Sequence, residues 1–101
     1  MYAQTGKLIA NPEKRAMLAG ILLRAAERVS MLPGCWLYLV HADTTDDAIL
    51  WVYELWDDQA SHDASLQDEL VQALIAEAMP LLSKPPEGAT LQFLGGHGLT
   101  V

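Results

Sequence analysis

The sequence predicts an α+β fold, a ferredoxin-like β-α-β-β-α-β unit with four strands in one antiparallel sheet. Three observations carry this expectation. Two runs rich in aromatic and branched residues, 35–42 and 48–56, flank a polar stretch and read as a hairpin. Apolar stripes at helical spacing lie before and after that hairpin. Strand-like segments stand near both ends of the chain, which completes the split βαβ order. A length of 101 residues suits one domain over residues 1–101.

Taken in order, residues 2–10 form the first expected strand, with Gly6 weakening it or admitting a close neighbour. Asn11-Pro12 then reads as an N-cap followed by a residue preorganised for the first helical turn. Leu18, Ile21, Leu22, Ala25, Val29 and Leu32 keep to one helix face, and Pro33-Gly34 ends it. After the hairpin and its turn at residues 43–47, Asp57 or Asp58 caps a short helix running through Leu66. Asp68 caps a second helix, whose buried stripe is Leu70, Val71, Leu74, Ile75, Ala78 and Leu82. Pro80 removes a backbone donor there and bends or frays the helix end. Residues 83–88 read as a loop, 89–94 as the last strand, and Gly95-Gly96-His97-Gly98 as a loose tail.

Charge and cysteine content narrow the function classes. A formal net charge of −7 speaks against a nucleic-acid partner, since binding to phosphate backbones draws on clustered Lys and Arg. Four of the six basic residues, Lys14, Arg15, Arg24 and Arg28, fall on the first predicted helix, interleaved with Glu13 and Glu27 as on a solvated face. Cys35 is the one cysteine, so neither an intrachain disulfide nor a cysteine metal cluster can form. The longest apolar run, 16–23, is too short to span a bilayer and lacks a cleavage site after it. A cytoplasmic protein without membrane partners is the expectation.

The hairpin is apolar on both faces. Strict alternation puts Trp36, Tyr38, Val40, Leu50, Val52 and Trp56 on one side, and Leu37, Leu39, Ile49, Trp51, Tyr53 and Leu55 on the other. One face meets the helices, whereas the other should be polar if it were wet. Exposed aromatic and aliphatic neighbours would exceed the few hundred Å² that a monomer usually tolerates. A homodimer packed sheet against sheet removes the conflict by symmetry.

Five of the seven aromatic residues lie between Trp36 and Trp56. Core packing alone accounts for most such residues, but the segment Tyr53-Glu54-Leu55-Trp56-Asp57-Asp58 runs straight into a helix bearing Ala60, His62 and Leu66. This strand ending, its acidic cap and the following helix resemble the antibiotic biosynthesis monooxygenase domain family. The run Ala73-Leu74-Ile75-Ala76-Glu77-Ala78-Met79-Pro80-Leu81-Leu82 is similar to quinol-monooxygenase-type members. The resemblance implies a dimeric α/β barrel with a pocket between sheet and helices in each subunit. It also implies oxygen chemistry on a quinol, anthrone or similar polycyclic phenol with no cofactor: no metal, flavin or haem. A deprotonated phenol of this kind reduces O₂ itself, so the protein need only supply a dry slot, orientation and a proton acceptor.

The resemblance assigns Trp56 to the family's tryptophan. His62 is the candidate base or hydrogen-bond partner, because imidazole titrates near neutrality. Glu54 shares the face of Trp56 and is a candidate buried base with a raised pKa. Trp36, Tyr38 and Val52 are expected to line the substrate wall, while His41 and His97 are expected to be exposed. Anthrone-oxidising members carry asparagine where this chain has Val52 and tyrosine where it has His62. Haem-degrading members carry histidine at the position of Leu66, which speaks against haem degradation. Many quinol-type members place a histidine where Ser65 stands. The alternatives are a non-catalytic small-molecule-binding or stress-response barrel and, more distantly, a lyase or isomerase using Glu54 or His62.

Overall fold

The hairpin forms as the residue pattern requires, and the remaining elements are laid around it. The structure, a computed structural model, describes residues 1–99. Its elements run β1 (Tyr2–Ile9), α1 (Arg15–Val29), β2 (Cys35–Ala42), β3 (Ile49–Trp56), α2 (Gln59–Ser65), α3 (Glu69–Ala78), a 3₁₀ turn (Met79–Leu81) and β4 (Glu87–Gln92). The strands pair antiparallel in the order β2-β3-β1-β4, the ferredoxin-like arrangement, and the sheet stays open at both edges. Among the described residues no helix is long and apolar enough to cross a membrane.

The core lies between the helices and one face of the sheet. Leu18, Ile21 and Leu22 of α1 meet Leu50 and Val52 of β3 and Leu74 and Ala78 of α3. A smaller cluster joins Val29, Trp56 and Val71. Asp58 and Asp68 cap α2 and α3 through their side chains, accepting from the backbone N–H groups of Ser61 and Val71. Arg28 clamps Asp68 through two bonds of 2.9 and 2.6 Å, so the cap of α3 is tied to the last turn of α1. At the β2–β3 turn, Asp43 accepts from the backbone of Thr45 and Asp46 and from the Trp51 indole.

Four local expectations change, besides Leu70 and Ile75, which are exposed on α3 and not buried in its stripe. Asn11 does not cap α1, because its N–H and side chain bond to the carbonyls of Leu81 and Pro80. Glu13 turns left-handed at φ 67° and delays the helix to Arg15. Helix α1 ends at Val29, so Leu32 packs on the Trp56 cluster from the turn beyond it.

The last strand starts two residues earlier than expected. There Gly88 faces Gly6 so closely that a Cβ would lie 2.5 Å from the Thr5 carbonyl oxygen. It ends at Gln92 because that residue pairs with Tyr2, the first residue of β1. The fourth change concerns Trp36. A β-bulge between Cys35 and Leu37 resets the alternation, so Cys35 pairs with Trp56 while Tyr38 and Val40 keep the helix-facing side. Trp36 is thereby left out of the wall and is 43% exposed, its indole donating to Asp57.

The outer face of the sheet is uneven. Ala3, Ile49 and Leu55 are buried, whereas Leu39, Trp51 and Leu91 are each at least 40% exposed. Every residue of β4 is exposed.

Candidate functional site

The site grows from cross-strand pairing at one end of the sheet. β1 and β2 place Gln4 and Tyr38 beside Glu54 on either side, all facing the helices. Behind Glu54, the Trp56 indole N–H donates to its carboxyl oxygen Oε1 at 3.1 Å. The short helix α2 then carries His62 over this end. The His62 ring sits edge-on to Trp56 with centroids 5.9 Å apart, and 5.2 Å from the Tyr2 ring. It is buried, with Nε2 3.9 Å from Glu54 Oε1 and Nδ1 3.1 Å from Asp63 Oδ1.

These polar groups open onto a cavity of about 240 Å³ between sheet and helices. Tyr38, Val52, Glu54 and His62 line it, as do Gln4, Gly6 and Leu8 from β1 and Ser65 from α2. The far end is apolar, built by Leu74, Ala78 and Leu82. Leu66, Ile75 and Met79 both line the cavity and remain exposed, so they form its rim. Trp56 is not a wall residue: it is fully buried beneath the site and supports two of the lining residues, Glu54 by a hydrogen bond and His62 by ring contact. Trp36 is excluded by the bulge, and His41 and His97 are exposed. Gln4, Tyr2 and Asp63 were not anticipated. Gln4 had a signal in the sequence, since it shares parity with Tyr2 and Leu8 along β1.

Electrostatics follow from burial. Burial pushes the Glu54 carboxyl above its ordinary value, while the Trp56 N–H and His62 pull it back. The Tyr38 phenol is raised well above its ordinary value, first by burial and then by Glu54 and Cys35. Tyr38 therefore stays protonated and can donate a hydrogen bond to an oxygen in the cavity. The Gln4 side-chain carbonyl accepts from the Tyr2 hydroxyl at 3.4 Å, which turns its amide NH₂ to other use. One end of an apolar slot thus offers two acceptors, Glu54 and His62, and two donors, Tyr38 and the Gln4 amide.

Comparison with known proteins agrees with this architecture. The family model for antibiotic biosynthesis monooxygenase matches residues 1–77. A candidate antibiotic biosynthesis monooxygenase from Chloroflexus aurantiacus J-10-fl is 38% identical, with 98% of each chain covered and a TM-score of 0.88. A candidate of the same kind from Deinococcus radiodurans is 22% identical over the whole of both chains, with a TM-score of 0.84. One from Nitrosomonas europaea is 14% identical, covering 94% of this chain and 100% of that one, with a TM-score of 0.89. The last two likenesses speak for the fold alone. No functionally curated protein matches the chain.

Proposed function

The chain belongs to the antibiotic biosynthesis monooxygenase family, and from that premise we propose that it oxidises a small phenol, of the quinol or anthrone kind, with O₂ and no cofactor. The observation that carries this reading is the convergence of Glu54, His62 and Tyr38 on the polar end of one apolar cavity. The cavity also suggests the size of the substrate. It exceeds the roughly 150 Å³ that takes a single benzene ring and falls short of the roughly 300 Å³ at which drug-sized pockets begin. A one- or two-ring phenol fits within it, and a three-ring anthrone would reach past the rim of Leu66, Ile75 and Met79.

In this reading the phenol enters hydroxyl first and gives its proton to His62 Nε2, with Glu54 holding the developing imidazolium. The phenolate passes one electron to O₂, and the resulting phenoxyl–superoxide pair joins at a ring carbon bearing hydrogen. The peroxide so formed takes back the proton held on His62, and the hydroperoxide then breaks its O–O bond as that C–H proton departs. One oxygen stays as a new carbonyl and the other leaves as water, so phenol plus O₂ gives quinone plus water. Tyr38 and the Gln4 amide support oxygen charge as it develops. The apolar far end keeps water away from the radical pair.

The exposed apolar residues of the outer sheet face, Leu39, Trp51 and Leu91, support a homodimer packed sheet to sheet. Two such sheets face to face would make the dimeric barrel.

Oxygen uptake tests the catalytic reading. The chain is offered a panel of naphthols, hydroquinones and anthrones, with heat-unfolded protein as the autoxidation control. Uptake well above the control, cut about 10²–10⁴-fold in His62→Ala, supports it. Phenol binding with uptake no faster than autoxidation would replace it with the binding-module reading.

A further inference from the structure

We infer that Asp63 is a positioning residue that fixes the proton of neutral His62 on Nδ1 and so presents the Nε2 lone pair to the cavity. Only one ring nitrogen of a neutral imidazole carries hydrogen, and the partner of each nitrogen decides which. Asp63 Oδ1 lies 3.1 Å from Nδ1, within hydrogen-bond range. Glu54 Oε1 lies 3.9 Å from Nε2, beyond it. The Nδ1 side therefore holds the N–H, which reverses the preference of free histidine for Nε2–H. The Tyr2 and Trp56 rings pack against the imidazole and restrict its plane.

The alternative proton location would defeat the site. With hydrogen on Nε2, His62 would donate toward Glu54 and could not accept a proton from a ligand hydroxyl. Asp63 sits at the surface, its side chain 60% exposed, and makes no other side-chain hydrogen bond among the described residues. Its carboxylate is spent on the imidazole. The titratable groups that face the ring are Glu54, Asp63 and Tyr2, of which Asp63 alone lies within hydrogen-bond distance of a ring nitrogen. The catalytic consequence rests on the proposed role of His62 as proton acceptor; the tautomer itself does not.

The test is imidazole ¹⁵N NMR on the labelled full chain, at a pH above the histidine range, with His62 assigned by the signals lost in His62→Gln. Wild-type His62 should show a pyrrole-type Nδ1 and a pyridine-type Nε2. Asp63→Ala should move the proton to Nε2, whereas Asp63→Asn, which keeps an acceptor oxygen, should retain the wild-type pattern. A wild-type ring protonated on Nε2, or an Asp63→Ala ring still protonated on Nδ1, would overturn the inference. Because no substrate is needed, a chain that turns out not to consume O₂ leaves this result untouched. Where turnover is found, Asp63→Ala should lower kcat about tenfold or more with KM little changed.

Discussion

Replacing Trp56 with Phe separates packing from the support of Glu54. Trp56 is fully buried and its indole N–H is the hydrogen-bond donor to the Glu54 carboxyl. Trimming indole to phenyl removes on the order of 50 Å² of buried apolar surface, about 1–1.5 kcal/mol, and the residual cavity costs a similar amount. That loss, roughly 2–3 kcal/mol, does not depend on pH. The lost hydrogen bond does. Burial already raises the folded-state pKa of Glu54 above its unfolded value, so stability falls as pH rises through the interval between them. The Trp56 donor favours the carboxylate and narrows that interval, and removing it widens the interval. Below the ordinary carboxylate range Glu54 is protonated in both states and the extra cost vanishes. Above the folded value it is fully present, about 1.5–3 kcal/mol for a bond to a charged acceptor. Urea unfolding at pH 4 and pH 8 reads the difference directly, with Trp56→Phe losing more at pH 8. An equal loss at both pH values would refute the assignment of Trp56 as the group that supports the Glu54 carboxylate.

Other outcomes follow from the same geometry. The Arg28 pair holds the Asp68 carboxyl down to about 2, so its stabilisation is present above the ordinary carboxylate range and fades as pH falls toward that value. Asp68→Asn, which keeps a capping oxygen, should melt below wild type at pH 7 and converge with it near pH 2. Gly88→Ala drives a Cβ into the Thr5 carbonyl, so amide exchange in β4 should quicken while that of α1 holds. Leu39→Glu places a charge on the outer sheet face, and analytical ultracentrifugation should find wild type as a dimer and the variant as a monomer. A monomeric wild type would remove the sheet-to-sheet interface.

The order of elements was legible because period and punctuation agreed at each step. Asp58 and Asp68 cap where a carboxylate before an apolar stripe should, and Pro80 ends α3 in a 3₁₀ turn. Asn11-Pro12 misled because a capping side chain can serve another partner, here the end of the helical layer reached by Pro80 and Leu81. The pocket face was legible at Tyr38, Val52 and Glu54, where strict alternation holds. It failed at Trp36 because a bulge inside an aromatic run leaves no local mark in the sequence. Gln4 left only the faint mark of its parity with Tyr2 and Leu8, because Gln4-Thr5-Gly6-Lys7 alternate weakly. Asp63 read as a solvated charge, since its relation to His62 depends on where α2 turns the ring.

The central claim is that this chain inserts one atom of O₂ into a phenol at the Glu54–His62 end of its cavity. Turnover of a bicyclic phenol under ¹⁸O₂, followed by mass spectrometry of the product, tests it most directly. One ¹⁸O in the quinone and the other in water, formed by wild type and about 10²–10⁴-fold more slowly by His62→Ala, is the predicted result. A quinone without ¹⁸O, or labelled product formed equally by His62→Ala, would contradict the account.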